Sequence, residues 1–327
     1  MNRRRLLGHG LWLGAALATG TVGAQSYPDR PITLVVPFPA GGAVDIIARG
    51  LGPPLAQELG QPVLIENIGG GSGSIGATKV ARARADGYTL LVGTVNDVVL
   101  APLINRAVPY QLEDFSPIAK IGESVFAVVG RPGLAARDFD ELVAFARANP
   151  GKLSYATSGI GSLQHVGMEI LQARLGISLL HVPYRGGTAL VTDLLGGQID
   201  LAMVVPAAFA EHIKNGKVRS YGTTSLQRDD TLGGLATLNE SQSLKGYHLA
   251  SWIGVFAPAH TSQEVRQRVA IAMQSLLGAP EQLARMRGMG LRPAPASEQS
   301  AFASAVQEVR TQMRPVVARM NLGEQTK

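Results

Sequence analysis

Short apolar runs of β type alternate with helical patterns along nearly the whole chain, and this alternation constrains the fold more than any other feature. Ile32-Thr33-Leu34-Val35-Val36 is followed by apolar residues at Val44, Ile47, Ala48, Leu51 and Leu55, a helical spacing. Strand-type runs recur at 62–66, 88–92, 125–129, 153–156, 179–182 and 198–205, with helical patterns near 74–84, 139–148, 162–175 and 187–195. Such a βα repeat predicts an α/β fold with mostly parallel sheets and helices on both faces. After 252–257 the pattern turns helical, near 262–277, 280–287 and 297–320, and a helical tail of this kind packs back on the first sheet. The expected organisation is two lobes: 25–124 plus 253–327 in one, 125–252 in the other, with crossings at 125–129 and 252–257 and a cleft between. Gly52-Pro53-Pro54 predicts a kink or an early end to the first helix.

Two glycine-rich turns sit at strand-to-helix junctions in this pattern. Pro37-Phe38-Pro39-Ala40-Gly41-Gly42 follows the first strand, and Thr157-Ser158-Gly159-Ile160-Gly161-Ser162 follows the run at 153–156. Glycines let backbone approach a ligand closely, and the first N–H groups of a helix lack internal partners and carry partial positive charge. Both turns are therefore candidate anion seats, one on each half of the chain. The loop after 88–92 supplies Thr94 and Asn96 as candidate lining of the same cleft. A third strand–turn–helix junction supplies Tyr184, Arg185 and Gly186: a flat ring with a hydroxyl, and a guanidinium that is either a ligand contact or a solvated rim charge.

Composition excludes several classes. Residues 1–24 read as an export signal: Arg3-Arg4-Arg5, an uncharged stretch to Ala18, then Val22-Gly23-Ala24. Arg3-Arg4-Arg5-Leu6-Leu7 also fits a twin-arginine signal, so the general secretory and twin-arginine routes both stay open. The signal holds three of the six net positive charges, and the remaining cations are scattered, so no nucleic-acid stripe is present. There is no cysteine, which rules out thiol nucleophiles, cysteine metal ligands and disulfides. A soluble exported protein without cofactor or metal is expected.

Catalytic and cofactor motifs fail on context. Gly71-Ser72-Gly73-Ser74-Ile75-Gly76 is formally G-x-G-x-x-G with Asp97 about 20 residues on, as a dinucleotide site requires. It belongs to the second βα unit rather than the first, and Asp97 lies in a loop, so it reads as a tight turn lining one cleft wall. Ser158 and Ser162 lack the G-x-S-x-G elbow. His165 and Glu169 are spaced i, i+4, but no second histidine pair stands near and H-E-x-x-H is absent. His165 is either a hydrogen-bonding support or a ligand contact. Asp45, in the first turn of the first helix, either complements the helix dipole or meets an amine or hydroxyl of a solute.

Taken together these segments resemble the Bug (TctC) family, the periplasmic solute-binding proteins of tripartite tricarboxylate transporters. The landmarks run from Tyr27-Pro28-Asp29-Arg30-Pro31-Ile32 through Val36–Gly42 with Asp45 and Arg49, Gly60-Gln61-Pro62-Val63 and Ala85-Asp86-Gly87-Tyr88. They continue through the 157–162 turn with His165, His181-Val182-Pro183-Tyr184-Arg185-Gly186 and Asp193-Leu194-Leu195-Gly196-Gly197-Gln198. The resemblance implies a two-lobed Venus-flytrap fold closing on a small carboxylated solute. It implies a carboxylate held largely by backbone groups and water at the two turns, and presentation of the solute to membrane permease subunits. Ala40 departs from the family's usual second proline. Met203-Val204-Val205 replaces a polar or acidic residue the family often carries, so Met203 and Val204 are expected to form an apolar cleft wall facing a ligand without an amine. Competing functions are a sensor delivering ligand to a membrane receptor, and an exported hydrolase or oxidoreductase in the same cleft.

Overall fold

The computed structural model describes residues 27–184, 187–229 and 232–320. The expected export signal lies outside them. In chain order the strands are β1 (Ile32–Val36), β2 (Val63–Asn67), β3 (Thr89–Thr94), β4 (Phe115–Val125), β5 (Ala127–Gly130), β6 (Ser154–Thr157), β7 (Leu180–Pro183), β8 (Leu201–Val204), β9 (Arg219–Thr223), β10 (Ala250–Pro258) and β11 (Arg292–Pro293). The helices are α1 (Ala43–Leu59), α2 (Ser74–Ala81), α3 (Ala101–Ile104), α4 (Phe139–Ala148), α5 (Leu163–Leu175), α6 (Gly187–Leu195), α7 (Ala210–Lys214), α8 (Gln263–Leu277), α9 (Pro280–Gly288), α10 (Ala296–Gln299) and α11 (Phe302–Arg319).

They form two α/β lobes, each around one sheet. The first sheet has the order β11-β4-β10-β3-β1-β2 and the second β7-β6-β8-β5-β9. The βα units pair in parallel, β1 with β2 and β3 and β6 with β7 and β8. Both sheets are nonetheless mixed, because β4, β5, β9, β10 and β11 enter antiparallel. The passages between the sheets, from β4 into β5 and back into β10, set those strands antiparallel to their sheet neighbours.

Period-2 patterning assigns the strand faces. In β1, β3 and β10 the side chains of Ile32, Leu34, Val36, Leu90, Val92, Ile253 and Val255 enter a core under α1 and α8. Val35, Leu91, Trp252 and Phe256 point the other way, into a core with α2 and α11 that runs on beneath the second sheet to α4 and α5. A third core, with Leu190 and Leu194 of α6, covers the far face of the second sheet. One apolar layer is thus shared by both lobes.

β4 passes into β5 with only Phe126 between them, and Thr224 ties this passage to the returning one. Thr224 N–H donates to Phe126 O (2.8 Å), its hydroxyl accepts from Phe126 N–H (2.9 Å) and donates to Leu249 O (2.6 Å), and its carbonyl accepts from Leu249 N–H (3.1 Å). The first helix does not end at Gly52-Pro53-Pro54: α1 runs on to Leu59. Each proline removes one intrahelical donor, but Leu51, Leu55 and Leu59 are buried on the face that meets the sheet, and that packing holds the helix together. The tail pattern near 297–320 divides into α10 and α11, separated by Ser300 and Ala301.

Candidate functional site

The turns singled out in the sequence leave parallel strands at their C-terminal ends, where α/β ligands sit. In the first, Asp45 is buried and fully engaged. Its carboxylate accepts from Gly41 N–H (2.8 Å), Arg49 Nε (2.9 Å) and Asn67 Nδ2 (2.9 Å). The Arg49 guanidinium, with the Gly41 and Asn67 donors, holds this carboxyl below the usual carboxylate range. Asn67, at the end of β2, also donates to Phe38 O (3.2 Å), clamping the turn to the neighbouring strand. Pro39, Ala40, Gly41 and Gly42 stand exposed above this frame, and Phe38 is half-buried.

The decoy fingerprint has a packing explanation. A methyl placed on Gly73 would come within 2.7 Å of Asp97 Cβ and 3.3 Å of the Phe38 ring, so the glycine lets two loops touch. Asp97 is 0% exposed. One of its oxygens takes both the N–H (2.9 Å) and the hydroxyl (2.6 Å) of Thr94, the other has no partner, and burial pushes the carboxyl up to about 7. Nothing in this arrangement resembles an acid presented to a ribose.

The second turn rests on a column of rings. Gly161 N–H donates to His165 Nδ1 (3.1 Å), which leaves the His165 proton on Nε2. His165 stacks on His181 with centroids 3.8 Å apart and planes 13° from parallel, and Tyr155 packs against both, 4.9 Å from His181 and 6.5 Å from His165. His181 Nε2 meets the Thr157 hydroxyl at 2.7 Å, and Tyr155 OH donates to Glu169 (2.7 Å). Burial pushes both histidines down to about 4, helped at His181 by His165, so both rings are neutral at pH 7. Ser162 caps α5, accepting from His165 N–H (3.3 Å) and donating to Gly159 O (2.8 Å). Through Nδ1, His165 supports the turn at Gly161.

The two lobes meet beside these turns. Asn96 Oδ1 accepts from the N–H of Leu163, the first residue of α5, at 2.9 Å. Gly161 has φ +75°, and a methyl there would lie 2.8 Å from Ile104 Cδ1, so α3 of the first lobe presses directly on the second turn. Tyr184 N–H donates to Thr157 O (3.0 Å) and its hydroxyl to Asp193 (2.6 Å), which fixes the third turn against the second. Arg185 and Gly186 lie outside the described residues.

Met203 and Val204 do not form a cleft wall. β8 lies between β6 and β5 with helices over both faces, so Met203 packs against Gly167 of α5 and Val204 joins the core under α6. Sequence reasoning missed Asn67 and His181. His181 was detectable as the residue opposite Tyr155 once β6 and β7 are paired, but that register is a tertiary fact.

Among the described residues, the N–H groups of Ala40, Ala43, Val44, Ser158 and Ile160 and the Ser158 hydroxyl have no hydrogen-bond partner. Chemically the two turns offer neutral donors, with the Arg49 guanidinium bonded to Asp45 and Asn67. A cavity of about 800 Å³ lies away from them, between α5, the 246–249 segment and α11.

A two-lobed fold with donor-rich turns at its strand ends defines a solute-binding protein of the periplasmic type. Residues 47–322 match the family model of the tripartite tricarboxylate transporter family receptor, TctC, and the chain belongs to that family. It is 37% identical over 298 residues to a protein encoded between tcbD and tcbE in Pseudomonas sp. strain P51, covering 90% of this chain and 88% of that one. It is 34% identical to BugT of Bordetella pertussis over 81% of this chain and 82% of that one. Among solved structures, the periplasmic binding protein BugD superposes with a TM-score of 0.78 at 33% identity, covering 90% of this chain and 99% of that one. MatC from Rhodopseudomonas palustris with bound malate gives 0.79 at 28%, covering 89% and 100%. A second R. palustris protein, with adipate, gives 0.80 at 30%, covering 91% and 98%. Among the described residues no helix is long and apolar enough to cross a membrane, and no group of histidine, aspartate and glutamate side chains is placed to hold a metal.

Proposed function

We propose that this chain is a periplasmic solute-binding protein that clamps a small carboxylate between its lobes and hands it unchanged to the membrane subunits of a tripartite tricarboxylate-type transporter. The observation that carries the reading is the pair of turns with unpaired N–H donors, those of Ala40, Ala43 and Val44 on one lobe and of Ser158 and Ile160 on the other. Each holds one side of the solute, so only the closed form makes both sets of contacts and ligand shifts the population toward it. Malate and adipate, bound by the two R. palustris proteins, are carboxylates of the size such turns accept.

The same site supports a binder rather than an enzyme. His165 is neutral and committed through Nδ1 to Gly161, Asp45 is saturated by its own donors, and neither is poised to move a proton. Among the described residues, the carboxylates of Asp45 and Asp193 beside the turns are already engaged, by Arg49 and Tyr184 respectively. In this reading residues 1–24 direct export, the lobes are 25–124 plus 253–327 and 125–252, Phe126 and Thr224 mark the hinge, and the protein acts as a monomer. A thermal-shift screen of mono-, di- and tricarboxylates with amino acids alongside tests it. The cognate carboxylate at 100 times its Kd raises stability by about 2.7 kcal/mol. Stabilisation by amino acids alone contradicts it.

A further inference from the structure

We propose that Asn96 is a positioning residue that latches the two lobes, its carboxamide oxygen capping α5 across the cleft in the closed arrangement and so adding to the closed population. The inference rests on the clamp reading but not on the identity of the solute.

Asn96 is presented rigidly. Thr94 turns the chain after β3, its hydroxyl accepting from Asn96 N–H (3.2 Å) while Asp97 takes the Thr94 N–H and hydroxyl together. The Tyr110 hydroxyl donates to the Asp97 carbonyl and anchors the turn from below. An amide built on this base has little freedom to lose when it forms a bond, which favours a latch over a loose contact.

Its target needs an acceptor. The first N–H groups of a helix have no partner within the helix, and Ser162 serves only His165. Leu163 is 1% exposed. With Asn96 in place its N–H is satisfied; with Asn96 removed and the lobes still closed, a buried donor is orphaned. Separation of the lobes lets water reach that N–H. The bond therefore stabilises the closed arrangement specifically, and the Ile104 contact with Gly161 beside it fixes the same relative position. In this role the Asn96 side chain faces protein across the cleft and acts on affinity through closure.

The chain has no cysteine, so a pair introduced at exposed Gln57 on α1 and Lys152 before β6 labels one lobe each. Distances between spin labels at these sites, measured without any ligand on the full chain, test the latch independently of what is transported. Asn96→Ala shifts the distribution toward longer distances, with the closed-to-open ratio falling roughly two- to tenfold, the usual range for one hydrogen bond. Asn96→Asp keeps an acceptor opposite Leu163 N–H and restores the short distances, whereas a merely structural role would not distinguish the two at matched thermal midpoints. Identical distributions in all three proteins, or Asn96→Asp behaving as Asn96→Ala, overturns the proposal. If the unaltered chain binds no carboxylate while the distances behave as stated, the transport reading alone fails.

Discussion

At the scale of single residues, buried titratable groups with opposite effects frame the site. His165 and His181 are pushed down to about 4 from 6.5, so their contribution to stability is present above pH 6.5 and lost as pH falls toward 4. For His165 the shift corresponds to about 3 kcal/mol. Asp97 runs the other way: raised from 3.8 to about 7, it favours the folded state below pH 4 and loses that contribution as pH rises to 7. Between pH 6.5 and 4 acidification therefore weakens the histidine contribution while it strengthens that of Asp97. Asp97→Asn separates the terms. It stabilises the protein by up to about 4 kcal/mol at pH 7.5, and the gain shrinks toward zero near pH 4. Urea titrations at the two pH values check this, and a gain independent of pH contradicts it. The dipole-complementing role of Asp45 could be read from its place one turn into α1. Its bond to Asn67 could not, because Asn67 reaches it from the end of β2.

At the scale of elements, the turn after β6 depends on one glycine more than on its serines. Gly161→Ala must hold φ +75°, costing about 1–2 kcal/mol, and must push Ile104 aside. The expected outcome is a folded protein whose circular dichroism is unchanged but whose carboxylate thermal shift is lost. A full shift in this variant removes the second turn from the site. The βα alternation and both turns were legible because strand and helix periods, glycines and helix starts are local signals. The antiparallel entry of β4, β5, β9 and β10 was not, since pairing direction is set by where a strand arrives in space. The persistence of α1 through Pro53 and Pro54 was hidden for a similar reason: burial of Leu51, Leu55 and Leu59 outweighs local propensity. The apolar wall assigned to Met203 and Val204 failed because residue type alone does not tell a cleft from a core.

At the scale of the whole molecule, the lobes share an apolar layer, a hinge knotted by Thr224, and a polar seam at Asn96 and Leu163. In the proposed clamp the body bends at two short passages while each sheet stays rigid. The donors proposed to meet solute are neutral and divided between the lobes, so in that reading neither lobe alone holds a carboxylate well. The central claim is that binding and closure are one event. Small-angle X-ray scattering of the protein with and without the carboxylate that stabilises it in the thermal screen tests this most directly. Closure predicts a smaller radius of gyration in the presence of ligand, saturating with the same Kd as calorimetry. A radius unchanged at full occupancy would contradict the clamp.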